Sequence, residues 1–358
     1  MSTFVRYNSG DIVLSTDKIN SNAWTDGLNT LTTFHTASTE ALNYANATSS
    51  GMFFLDVFKV APNNVSSSEF SIAYGHKAGS GSLDFSTGVG GSGFGASRTI
   101  YSQYRQLVFG DESQNFTFNG VTPDDIYVIN IERARMKQGL KPGSLNLTLT
   151  SGSAGTAGTL HLTDDSVTTT GSATLTNLGR QFNLVSGSSG VMNGTTLAQT
   201  TSGSFGFVYP DAGIIIMNPK ALLTKIGNLD SPGAPAMTAS QFDITPAVAS
   251  NVHGFNIRKL YNAISGGASF TVDAEEKVSS QFYFTRVTNQ EFNYSTNPSF
   301  TQTDGTLQFD SMANNPKTFI TTVGLYNDAN ELLAVAKLSQ PLAKDFTKEA
   351  LVRIKLDY

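Results

Sequence analysis

Apolar runs separated by turn residues recur along nearly the whole of this sequence, and many carry a period of two. TLHLTDD and ATLTNLGRQFNLVSG, within residues 150–204, alternate Leu or Phe with polar neighbours. Such alternation puts successive side chains on opposite faces of a strand and fits antiparallel pairs with one wet face. MFFLDVFKV (52–60), FSIAYGH (70–76) and IYVINI (126–131) are more continuously apolar and read as buried strands. TVGLYNDANELLAVAKL reads as a hairpin, with Asn327-Asp328-Ala329-Asn330 supplying residues tolerant of positive φ. Helical spacing is confined to four places. They are residues 97–109 (Ile100, Tyr104, Leu107, Val108), the stretch opened by Asn218 and Pro219, residues 251–267, and a short turn after Asp26. In the third, Phe255, Ile257, Leu260, Tyr261 and Ile264 form an apolar face that Gly266 and Gly267 stop; the last rests on Trp24, Leu28, Leu31 and Phe34. The fold class is therefore mainly β (α+β), with antiparallel sheets or a sandwich, a few short helices and long Gly/Ser-rich loops. No regular repeat marks a propeller or solenoid.

Composition shifts divide the 358 residues into four parts. Residues 1–50 form an N-terminal segment, and 51–149 a β-rich domain with a Gly-rich loop (77–97) and one helix. Residues 150–204 form a Ser/Thr/Gly-rich β insertion. Residues 205–358 form a C-terminal α+β domain that ends in a hairpin and a final strand.

Charged residues make up only 14% of the chain, against roughly 25% in ordinary soluble domains. Uncharged surfaces rich in hydroxyl and amide groups desolvate at less cost than charged ones, which suits extensive subunit contacts. The net charge is −5 and the densest basic cluster is Arg133, Arg135 and Lys137, so no footprint for nucleic acid is present. With no cysteine, disulfide frameworks, Cys-ligated metals and thiol nucleophiles are excluded. The N-terminus lacks the basic start and apolar core of an export signal, and FVYPDAGIIIMNP, the nearest approach to a membrane span, is far too short. Synthesis in a cytoplasm is expected, and the six N-x-S/T sequons, at Asn46, Asn64, Asn115, Asn146, Asn193 and Asn293, carry no meaning there.

The stretch GVGGSGFGASRTIYSQYRQLVFG (88–110) spells G-x-G-x-x-G at Gly88, Gly90 and Gly93. A dinucleotide fingerprint needs a buried strand running into the first glycine, a helix at the last and an acidic residue about 20 positions on. The helix is there and Asp111 is suitably spaced, but SGSLDFST stands where the strand should be. A glycine-rich loop is the expectation. His35, His76, His161 and His253 show no metal-ligand spacing. The pairs Asp124/Asp125, Asp164/Asp165 and Glu275/Glu276 are adjacent, so on strands their carboxylates face opposite ways. No nucleophile elbow or phosphate loop occurs. No catalytic residue, cofactor or metal is assigned.

Several blocks resemble virion structural proteins of contractile-tailed phages, especially those infecting cyanobacteria. They are RTIYSQYRQLVFGDESQNFTF, DDIYVINIERARMKQGLKPGSLNLTL, GFVYPDAGIIIMNP, EFNYSTNPSF and, most of all, NPKTFITTVGLYNDANELLAVAKLSQPLAKDFTKEALVRIKLDY. The last also resembles a hairpin of tail-collar and baseplate-associated proteins. The resemblance, over roughly two thirds of the chain, implies a non-enzymatic assembly part of the virion, in the tail or baseplate, multi-copy or homo-oligomeric. Its partners would be other virion proteins, with neither nucleic acid nor membrane. A neck or capsid-surface position is the alternative within the particle; a receptor- or glycan-binding adhesin is the alternative outside that class. For the adhesin, Trp24, Tyr209 and Phe94 would stack on sugars. Tyr101, Tyr104 and Arg105 are expected either as a subunit contact or as cover for the local core, and Leu325 and Tyr326 of the hairpin as further assembly contacts. The 77–97 loop and the 150–204 region are expected to be assembly or outward-facing elements.

Overall fold

The computed structural model describes residues 4–36, 54–60, 67–81, 93–150, 159–168, 173–226 and 255–357. In chain order the first strands are β1 (Ile12–Asn22), β2 (Thr30–Leu31), β3 (Phe54–Phe58), β4 (Ser68–His76), β5 (Asp125–Ile131), β6 (Gly139–Leu140), β7 (Asn146–Thr150), β8 (Thr159–Asp164) and β9 (Thr174–Thr176). They are followed by β10 (Gly179–Ser188), β11 (Val191–Met192), β12 (Gly206–Tyr209), β13 (Ile214–Met217), β14 (Phe270–Thr271), β15 (Asp273–Val287), β16 (Thr318–Tyr326), β17 (Leu332–Lys344) and β18 (Ala350–Asp357). The α-helices are α1 (Ala96–Phe109), α2 (Pro219–Ile226) and α3 (Phe255–Gly267). The protein is mainly β, with large antiparallel sheets, as its alternation predicts.

The chain divides into two units, one of Ile19–Glu276 and one of Met1–Lys18 with Lys277–Tyr358. These boundaries do not coincide with the composition shifts at 50, 149 and 204. The 150–204 region in particular is not an insertion. Its strands β8 and β10 lie in the middle of the large unit's sheet, with Leu160, Leu162, Leu184 and Val185 buried. Serine and threonine dominate its turns and wet positions, and that polarity conceals two core strands.

The large unit is one curled sheet of order β2-β14-β7-β8-β10-β12-β13-β5-β4-β3, antiparallel at every step, with β9 and β11 attached to β10. Its two ends meet: His35, just past β2, exchanges both backbone hydrogen bonds with Phe58 of β3, each 2.8 Å. Both faces of the central strands are covered, which explains their unbroken apolar runs. Tyr127, Ile129, Ile131, Ile215 and Met217 join Phe70, Ile72, Phe270 and the α3 residues Ile257, Leu260 and Ile264 in one core. The intervening residues Ile126, Val128, Ile214 and Ile216 join α1 and the aromatics Phe116 and Phe118 in a second.

Local chemistry places each helix. Asn218 Oδ1 accepts the amides of Lys220 and Ala221 (3.1 and 3.4 Å), capping α2 as its sequence predicts. α1 ends at Gly110, whose left-handed φ of 69° lets its N–H return to the Gln106 carbonyl. The helix expected after Asp26 does not form. Asp26 instead accepts the Leu28 amide in a turn, while Trp24 is anchored by its indole N–H on the carbonyls of Asn29 (2.9 Å) and Phe270 (3.1 Å). The helical spacing arose because Trp24, Leu31 and Phe34 all reach the core from irregular and extended backbone.

The small unit contains a sheet of order β1-β15-β18 and the separate hairpin β16–β17. Strands β15 and β18 pair from Ser280↔Asp357 to Val287↔Ala350. A thin core of Leu325, Val352 and Ile354 gathers Tyr7, Tyr283, Val323, Ala334, Ala336, Leu338 and Leu356 between hairpin and sheet. Lys344 is fully buried and donates to the Asn289 carbonyl (3.1 Å), Asn293 Oδ1 (2.8 Å) and the Asp345 carbonyl (3.0 Å), tying β17 to the 289–293 turn; burial pulls its pKa down. Among the described residues no helix is long and apolar enough to cross a membrane.

Candidate functional site

The glycine-rich loop lies between β4 and α1. Strand β4 is antiparallel to both neighbours, and residues 77–95 separate it from the helix, so the parallel strand–turn–helix that holds a pyrophosphate is not formed. Gly88 and Gly90 lie outside the described residues. The base of the loop is fastened: the Gly93 amide donates to the Ala78 carbonyl (2.9 Å) and Ser97 Oγ to the Ser80 carbonyl (2.8 Å).

Tyr101 and Tyr104 are buried in the layer between α1 and the sheet. Of the two readings of these residues, covering the local core is the one that the fold adopts. Helix and strand meet backbone to backbone there, because Gly75 of β4 has no side chain. The Tyr101 hydroxyl accepts the Phe116 amide (3.4 Å), and burial raises its pKa. Arg105, half-buried, places its guanidinium 5.6 Å from the Tyr101 ring centre. Trp24 and Tyr209 are buried as well, so neither can stack on a sugar; Phe94 is exposed, beneath the Arg98 guanidinium at 4.6 Å.

The paired carboxylates act as structural fasteners. Asp164 accepts the amides of Gly143 (2.9 Å) and Ser166 (3.0 Å), whereas Asp165 accepts the backbone and side-chain N–H groups of Asn183 (2.9 and 2.8 Å). Asp125 accepts the Tyr74 hydroxyl (3.2 Å), and Asp124 pairs with Lys77, whose hydrogen bond holds its pKa down. Arg180 grips Asp211 through its Nε (3.1 Å) and one terminal nitrogen (2.6 Å), and reaches Glu275 at 3.5 Å. This clamp fastens the β9–β10 hairpin to the Pro-Asp-Ala-Gly turn. His76 Nδ1 accepts the Ala78 amide (3.1 Å) and closes a turn; His161 meets Thr148 at 3.2 Å. His253 lies outside the described residues. Among the described residues no three His, Asp or Glu side chains could share a metal ion.

An open cleft of about 390 Å³ lies against Asp56, Phe58, Ser67, Ser68, Glu132, Ala134 and Arg135. Burial, then the neighbouring Glu132 charge, raises the Asp56 pKa. Burial also raises that of Glu69, which is held by the Thr25 amide (3.3 Å) and Arg135 (3.8 Å). The cleft offers charge but no nucleophile paired with a base.

The remaining feature is the hairpin. Leu325 is buried and faces the thin core, while Tyr326 is exposed. A Cβ on Gly324 would meet the Tyr326 ring at 2.9 Å and Leu332 at 3.2 Å, so these two side chains lie over the bare glycine on the outer face. Val335 pairs with Gly324, and Phe4 contacts the Tyr326 ring edge-on at 5.3 Å. Phe319, Leu332, Leu333, Val335 and Leu342 are also exposed. The turn uses the asparagines that the sequence offered: Asn330 adopts φ 61° and Asn327 Oδ1 accepts the Glu331 amide at 2.8 Å. Sequence alone named Leu325 and Tyr326 but not the apolar partners on β17, whose strand looked like one that completes its own domain. Comparisons of the chain with protein-family models, curated proteins and solved structures return no match.

Proposed function

We propose that this chain is a non-enzymatic structural component of a tailed-phage virion, in the tail or baseplate, acting through protein–protein contacts. One observation carries the reading. The segment with the strongest resemblance to virion proteins, 315–358, is also the one that leaves Phe319, Tyr326, Leu332, Leu333, Val335 and Leu351 exposed around a core of only three fully buried side chains. Exposed apolar surface of this kind marks an interaction site. The carboxylate pairs and the glycine loop support the same reading, because each is occupied in fastening the fold. Antibody labelling of phage particles, viewed by electron microscopy, tests it. Label at the tail or baseplate is expected. Label at the neck or capsid moves the protein within the particle, and the absence of label from all particles overturns the reading. An adhesin is the weaker alternative, since two of its three aromatic candidates are buried. A glycan array with signal would favour it.

A further inference from the structure

We infer that β16 and the outer face of the β16–β17 hairpin form the surface through which two copies of this chain associate. Strand β16, TFITTVGLY, has nine residues, no charge and no proline. Such an edge is a template for another strand, and proteins ordinarily protect edges with charges, prolines or bulges. The other edges in this protein are protected. In the large unit the ends of the sheet meet at His35 and Phe58. Strand β1 carries Asp17 and Lys18, and β18 carries Arg353 and Lys355 among its exposed positions. Strand β17 is interrupted between Lys337 and Leu342 by a bulge that contains Pro341. Among the described residues, β16 pairs only with β17 and its free edge has no such protection.

The occupant is a second copy because of the charge on this surface, or rather its lack. A partner selected by electrostatics would find only Lys337 on the exposed strand positions, whereas an uncharged strand can meet its own copy without repulsion, although the whole chain carries −5. Phe319, Tyr326, Leu332, Leu333, Val335 and Leu342 together expose on the order of 600 Å². A stable interface takes roughly 800 Å² from each partner, and strand-edge contacts supply the difference. A twofold axis then sets two β16 strands side by side and antiparallel, each copy giving and receiving the same contacts. The association is independent of the virion reading, and either can fail alone.

The test is sedimentation equilibrium of the purified full chain from about 1 to 100 µM, with two variants. Leu333→Glu/Val335→Glu changes side chains that are 67% and 53% exposed, so each copy should still fold. Thr321→Lys places a charge on β16 itself. A wild-type dimer is expected, weakened about a hundredfold or more by the double variant and measurably by Thr321→Lys. Equal melting temperatures in dilute solution would show that the variants remain folded. A monomeric wild type at the highest concentration, or a dimer that survives both variants in folded form, overturns the inference.

Discussion

Gly75 shows how much a missing side chain can decide. A Cβ there would lie 2.9 Å from the Tyr101 amide nitrogen and 3.0 Å from its Cα, and backbone cannot turn aside as a side-chain tip can. Gly75→Val therefore pushes α1 off the sheet and opens the layer that holds Tyr101, Tyr104 and Phe116. A loss of about 1–3 kcal/mol is expected, the usual cost of overpacking a core, read as a lower urea midpoint. An unchanged midpoint would mean that the helix has slack to move. Nothing in the sequence distinguishes Gly75 from the many glycines nearby, since the need for it arises only when helix and strand meet.

Among the elements, the loop between β4 and α1 is bounded by a fastened base, Ala78 to Gly93 and Ser80 to Ser97. Its removable part is therefore 82–92, between the paired residues; a cut at 79–95 would also take Gly79, Ser80 and Gly93. Deleting 82–92 is expected to leave the melting temperature within about 2–4 °C of wild type and to impair incorporation into particles. A deletion mutant that is incorporated normally would remove this loop from the assembly surface. The strands and helices with a buried face were legible in the sequence: IYVINI, GIIIM, the α3 stripe and the Asn218-Pro219 start all appear where their patterns put them. Strand β1 was not, because none of its residues is buried and it carries no apolar period. The candidate surface was half legible. Leu325 and Tyr326 belong to the hairpin signal, but which of its faces stays open depends on a core too thin to cover both.

For the whole molecule, the carboxylates separate into two groups. In the large unit, burial raises the pKa values of Asp56, Glu69 and Asp164 above their ordinary 3.8, 4.5 and 3.8. There the folded state binds protons more firmly than the unfolded chain, so stability rises as pH falls from 7 through the raised values and levels off below the ordinary ones. In the small unit, hydrogen bonds from Lys355, Thr347 and Ser280 lower those of Asp17, Asp345 and Asp357. Their contribution is complete above 3.8 and fades only as pH drops through the lowered values. Asp26, Asp111 and Asp124 of the large unit are lowered too and act in that same acid range. Calorimetry should show the large unit melting higher at about pH 5 than at pH 7, with Asp164→Asn reducing the difference. A melting temperature that is flat or falls over that interval would contradict the assignment.

The pairing of β2 with β14 joins Leu31 to Phe270, and no strand nearer in the chain serves as β14's partner on that side. The curl thus cannot be completed until more than two hundred residues of intervening chain have been made and folded back. A ribosome adds only about 5–20 residues each second, and sheets built from such remote pairings form slowly. For many seconds of its synthesis the chain must carry the strands around β5 and β13, apolar on both faces, without the α3 helix that will cover one of them. Protection of the nascent chain, by chaperones or by prompt capture, becomes part of how this protein reaches its folded form.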